Sequence, residues 1–307
     1  MFRKLTLLVV LANAFSGLAM AGDSTHPHDR DIQDLNGRAE PPMLGIHWAR
    51  NAANSRAGGP NNPLMSNHGG KIMPTSMTRA IFWGPSWSNS AFVGDKITGL
   101  ETWYQGFSNS KYAQASTEYD GNNGQVGSSS SYLGSIVDTS TATGGATTTE
   151  ILAEVCKVVT NPDPSGNGYY AVYTDVKRGH AGYCAWHSYG KCGATAVQFA
   201  FFFNLDGDAG CDPADTTTGH SQGLAALANV TAHELSEAMT DPASPGAWYD
   251  NSGAENGDKC AWTFGASPVT FSNNSKWKLQ GEWSNAAYNA GTGYPNSSGQ
   301  RGCLSGL

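Results

Sequence analysis

His233, Glu234 and Glu237 stand in the stretch TAHELSEAMTDP, Thr231 to Pro242, at the spacing His-Glu-x-x-Glu. In the related zinc-peptidase motif His-Glu-x-x-His, two side chains one helical turn apart bind the ion, and the Glu between them takes a proton from metal-bound water. Here Glu237 replaces the second histidine. A carboxylate is still a ligand, so the replacement makes the site more anionic without abolishing it. Zn²⁺ accepts imidazole and carboxylate together, while carboxylates also suit Mn²⁺ or Ca²⁺. The expected site therefore has His233 and Glu237 as ligands of Zn²⁺ and Glu234 as general base. Glu255 or Asp258, in the downstream cluster GAENGDKC, is available as a third ligand. A solvated helix face carrying a His/Glu pair would show the same letters, and the order of elements around the helix favours the metal.

Two other stretches carry chemistry-bearing residues. NLDGDAGCDPAD places Asn204, Asp206, Asp208, Asp212 and Asp215 at positions 1, 3, 5, 9 and 12 of a calcium loop. Its glycine falls one place late at Gly210 and an Asp stands where a bidentate Glu is usual, so structural Ca²⁺ and a plain acidic turn both remain open. GHSQG, Gly219 to Gly223, matches the nucleophile elbow of serine hydrolases, but that elbow needs a buried strand running into it. The preceding CDPADTTT is polar and contains proline, so Ser221 is expected to cap the following helix.

The elements that must position these residues follow from periodicity. Thr78 to Trp83 reads as a strand, and Ile97, Leu100, Trp103, Tyr104 and Phe107 fall at helical spacing. After the Ser/Gly-rich stretch from Gly121 to Ser131, Thr147 to Val159 predicts a second helix with Ile151, Leu152, Val155 and Val158 on one side. GYYAVYTD and TAVQFAFFFN predict apolar strands, with HAGYCAWHSYGKC between them as an edge strand. The third helix spans about Ser221 to Thr240 and ends before Pro242. At about 100° per residue its apolar residues, Leu224, Leu227, Ala228, Thr231, Leu235, Ala238 and Met239, share one side. His233 and Glu237 fall on the other, as cleft-lining ligands would.

Composition bounds the setting. Met1 to Ala21 has a basic start at Arg3 and Lys4, an apolar run from Leu5 to about Phe15 and the ending Ala19-Met20-Ala21, the pattern of a secretory signal. Its removal takes away two positive charges and no negative ones, moving the formal charge from −7 to −9. That balance does not suit nucleic acid. No later segment could span a bilayer, so no membrane association is expected once the signal is gone. Residues 22–67 show no sustained periodicity and are expected to be a mobile or wrapping leader, or a propeptide. Residues 68–307 form the expected domain. All six cysteines lie in the exported part, and three disulfides are expected. Short loops favour Cys184 with Cys192 and Cys260 with Cys303.

The stretches NHGGKIM, IFWGPSW, YYAVYTDV, GYCAWHSYG, HELSEAMTDP, AWYD, ENGDKC and EWSNAA occur in this order between Asn67 and Cys303. Together they resemble the phosphate-induced protein 1 (exordium-like) family in its bacterial form. The resemblance implies an extracellular protein, whose plant relatives are tied to growth and the cell wall. For members with His-Glu-x-x-Glu it implies a zincin-like site at His233, Glu234, Glu237, Glu255 and Asp258. His187 matches a family histidine and is expected to be structural, near a disulfide. The fold expected is α+β: a zincin-like single domain with a small mixed sheet, an active-site helix and long disulfide-bonded loops. The function expected is that of a secreted (extracellular or periplasmic) metallopeptidase acting on protein or peptide. The alternative is a non-catalytic protein on the same scaffold that binds a cell-wall polymer or another partner.

Overall fold

The computed structural model describes residues 43–50, 52 and 63–306. The expected signal and most of the expected leader lie outside the described residues. The elements that position the site are, in chain order, β1 (Ile46–Trp48), β2 (Ser76–Trp83), α1 (Lys96–Phe107), β3 (Ser130–Asp138), α2 (Thr148–Val158), β4 (Gly168–Lys177), β5 (Tyr183–Cys192), β6 (Thr195–Asn204), α3 (Gln222–Thr240) and the single turn α4 (Asn256–Lys259).

From Gly168 to Thr174 every residue of β4 is buried, as is every residue of β6 from Val197 onward. Strands covered on both faces read as unbroken apolar runs, and parallel pairing follows from that cover. Six strands form a mixed sheet in the order β3-β2-β4-β6-β5-β1. β3, β2, β4 and β6 run parallel, β5 is antiparallel to β6, and β1 is antiparallel to β5. Because side chains alternate across a strand, one face of the sheet carries Trp186, Phe199 and Phe201. The other carries Ala185, His187, Phe202 and Tyr173, and Tyr173 Oη lies 2.8 Å from Thr231 Oγ1 of α3. The fold is thus mixed α and β, with α3 lying on the His187 face.

Three features differ from expectation. β3 occupies a stretch that begins inside the Ser/Gly-rich run; it is an edge strand, half-exposed, so no apolar alternation marks it. β1 lies within the expected leader, and three residues are too few for periodicity to reveal. Leu44 N–H donates to His187 O (3.0 Å) and His187 N–H to Gly45 O (3.1 Å), so β1 covers what would otherwise be the sheet's β5 edge. Finally, α3 has no solvated side: every residue from Gly223 to Thr240 is buried. Its polar side is covered by α4, the segment around Gln280 and β1, a packing that helical periodicity cannot register.

The disulfides are Cys156–Cys192, Cys184–Cys211 and Cys260–Cys303. The last agrees with expectation, whereas Cys184 does not pair with Cys192. Both stand on β5, where eight residues of extended chain separate them by roughly 26 Å at ~3.3 Å per residue. Non-reducing peptide mapping should recover these three linkages; a Cys184–Cys192 peptide would contradict the placement of β5.

Glu282 is buried and accepts a hydrogen bond from Ser116 Oγ; burial pushes its carboxyl up to about 8. A raised folded-state value means its contribution is fully present below the unfolded value of about 4.5 and is lost as pH rises through about 8. Stability should therefore decline over that window by an amount on the order of a few kcal/mol from this group. Glu282→Gln should flatten this part of the profile, checked by denaturant melts between pH 5 and 9.

Candidate metal centre

α3 is preceded by Ser221, whose side chain accepts from Leu224 N–H, so the serine of GHSQG is a helix cap. The helix ends where Asp241 precedes Pro242, and Asp241 Oδ1 accepts from Ala247 N–H (2.7 Å). Between these ends His233 and Glu237 stack one turn apart, with His233 Nε2 3.0 Å from Glu237 Oε1.

α4 brings the expected acidic cluster to the same place. Asp258 Oδ1 lies 3.7 Å from His233 Nε2, and Asp258 N–H donates to Glu237 Oε1 (2.9 Å). The close approach of α4 needs Gly257, where a Cβ would come within 2.9 Å of both Glu237 Oε1 and His233 Nδ1. Ligand atoms of His233, Glu237 and Asp258 all lie within 4.8 Å of one another, and so do those of His187, Glu234 and Glu237. Glu255 is fully buried beside them, with Oε2 3.9 Å from His187 Nε2. The five residues expected at the site are therefore brought together.

Three residues join them that sequence reasoning did not place there. His187, expected to be structural, has Nδ1 3.3 Å from Glu234 Oε2 and 3.7 Å from Glu237 Oε2. Its match to a family histidine was the available signal. His47 on β1 donates its backbone N–H to Glu234 Oε1 (3.3 Å), and its ring lies 4.1 Å from that of His233. Gln280 Nε2 lies 2.9 Å from His233 Nδ1 and donates to Gly257 O (2.8 Å), so an amide N–H group faces that ring nitrogen. Nothing in the sequence marks these last two.

Electrostatics show what the cluster lacks. Burial, then repulsion from Glu237, pushes the carboxyls of Glu234, Glu255 and Asp258 well above the usual range. Burial pushes His233 down to about 3 and lowers His47 as well. Lys259, the neighbouring buried ammonium, is committed to Asp250 (2.7 Å). His233 Nε2 and both oxygens of Glu255 have no hydrogen-bond partner. Imidazole and carboxylate around unsatisfied buried atoms form a donor set that fits a divalent cation, whose charge inverts this pKa logic.

The expected calcium loop is not gathered in this way. Asp206 pairs with Lys96, Asp208 receives Arg178 Nε and Nη2 (2.7 and 2.9 Å), and Asn204 Oδ1 accepts from Asp206 N–H (3.0 Å). Asp212 Oδ1 accepts from Ala214 N–H and Asp215 Oδ1 from Thr217 N–H, each at 2.8 Å. Remote cations and local turns thus take up the oxygens that were expected to converge, and among the described residues the two ligand groups of three include none of these aspartates. No family model matches the chain, and no curated protein matches it.

Asp208→Ala should lower stability by about 1.5–3 kcal/mol, the range for hydrogen bonds to charged groups, and equally so with calcium or with chelator. Loss of a calcium-dependent melting shift in this variant would instead make the loop a cation site.

Proposed function

We propose that the protein is a secreted metal-dependent hydrolase of zincin-like architecture, acting on peptide bonds. The observation that carries the reading is the convergence of His233, Glu237 and Asp258 on α3 and α4, with the Glu234 carboxylate beside them. Three further features support it. The ligand-bearing helix lies on a mixed sheet next to its antiparallel strand, β5. The six cysteines are all paired, which accords with an oxidising compartment. Among the described residues no helix is long and apolar enough to cross a membrane. The resemblance to the exordium-like family supports the same extracellular setting.

His233, Glu237 and Asp258 would hold the ion, with Glu255 in reserve. Zinc suits this mixture of nitrogen and oxygen donors. When bound, it supplies a Lewis acid that eases deprotonation of water at neutral pH. Glu234, next to His233 on α3, would accept that proton at its carboxylate. Leu44 to Trp48 cover the cluster, so a substrate reaches it only when this arm is displaced, as a propeptide would be.

Purified protein, with and without a proteolytic cut between Arg50 and Pro63, should cleave a denatured protein substrate and lose that activity to a chelator. Glu234→Gln should reduce turnover by at least 10²-fold, the contribution typical of general acid–base catalysis, with melting behaviour retained. His233→Ala should release zinc. Bound metal without turnover in any form would favour the non-catalytic scaffold.

A further inference from the structure

His187 is more than a lining residue. One ring nitrogen, Nε2, lies 3.3 Å from Asp241 O and 3.9 Å from Glu255 Oε2; the other, Nδ1, lies 3.3 Å from Glu234 Oε2 and 3.7 Å from Glu237 Oε2. Each nitrogen thus faces acceptors, and a neutral imidazole has one N–H to give. If Nε2–H donates to the Asp241 carbonyl, the arrangement usual behind metal-bound histidine, the Nδ1 lone pair points at two carboxylates. Such an arrangement is repulsive unless a carboxyl proton or a cation lies between.

The carboxylate of Glu237 is divided between two histidines: Oε1 faces His233 Nε2 at 3.0 Å and Oε2 faces His187 Nδ1 at 3.7 Å. Zinc bonds of about 2.0–2.2 Å set tetrahedral ligand atoms roughly 3.3–3.6 Å apart. The His187 contacts, at 3.3 and 3.7 Å, match that spacing as well as the His233–Asp258 contact does. Gly45 adds an independent observation. A Cβ there would fall 1.9 Å from Glu237 Oε2 and 2.6 Å from His187 Nδ1, so the Gly45 backbone packs directly against both atoms and no side chain fits between. Glycine is needed there for space, since its φ lies outside the left-handed region. Charge points the same way: when ionised, Glu234, Glu237, Glu255 and Asp258 carry four negative charges, and one divalent ion would offset half of them. Glu255, with both oxygens lacking a hydrogen bond, is fully buried and aimed at this cluster.

We propose that the centre binds two divalent cations, the second held by His187 Nδ1, Glu234 Oε2 and Glu237 Oε2, with Glu237 bridging the pair. The ions belong to the class that accepts imidazole and carboxylate together, zinc or manganese. The proposal rests on the first ion being held at His233, Glu237 and Asp258. It also changes Glu234 from a proton acceptor into a ligand.

The test is metal stoichiometry by equilibrium dialysis of the full exported chain against zinc alone, read by elemental analysis. Wild type should hold two ions per chain, and His187→Ala and Glu234→Gln should each hold one, with circular dichroism confirming that they fold. One ion in wild type, unchanged in Glu234→Gln, would overturn the second position and leave the hydrolase reading standing. No ion in wild type would overturn both. If His187→Ala fails to fold, Glu234→Gln and the wild-type count decide the matter. A wild-type count of one, with ¹⁵N spectra showing both His187 nitrogens protonated, would assign an imidazolium to the place proposed for the ion.

Discussion

Four carboxylates removed from water in one place form the constraint to which the surrounding structure responds. Glu234, Glu237 and Glu255 are fully buried and Asp258 is 7% exposed. Burying an ionised carboxylate without a partner is costly enough that the group normally takes up a proton instead. Here the neighbouring ammonium of Lys259 is spent on Asp250, and burial lowers the pKa values of His233 and His47. The centre must therefore be neutralised either by protons or by cations. A bound cation would satisfy the carboxylate oxygens and His233 Nε2, which faces Glu237 Oε1 at 3.0 Å, at once.

Sheet and helix act as a frame for this constraint. β5 presents His187 on the α3 face because side chains alternate, and α3 presents His233 and Glu237 one turn apart. α4 can close over them because Gly257 lacks a side chain, and β1 can cross them because Gly45 does. The Cys184–Cys211 and Cys260–Cys303 links tie the segments bearing His187 and Asp258 to distant parts of the chain.

Much of this frame is legible in the sequence, for physical reasons. α1, α2, α3, β4 and β6 are long enough for periodicity or continuous apolarity to show, and His-Glu-x-x-Glu carries its own geometry once the helix is recognised. The remainder depends on tertiary contacts that leave no local mark. The polar side of α3 looks solvent-facing until α4 and β1 cover it. His47 sits in a stretch without periodicity, and its role comes only from the pairing of Ile46 with Trp186. The aspartates after Asn204 have the spacing of a cation loop, yet Lys96 and Arg178, more than 20 residues away in sequence, claim two of them. Cysteine pairing followed strand geometry instead of loop length.

The central claim is that this buried cluster is neutralised by metal. Anomalous diffraction from crystals of the purified exported protein, recorded on both sides of the zinc absorption edge, addresses it directly. The account predicts an edge-dependent peak in contact with His233 Nε2 and Glu237. A well-ordered cluster with no such peak, its carboxyls hydrogen-bonded to one another through shared protons after growth in zinc, would contradict it.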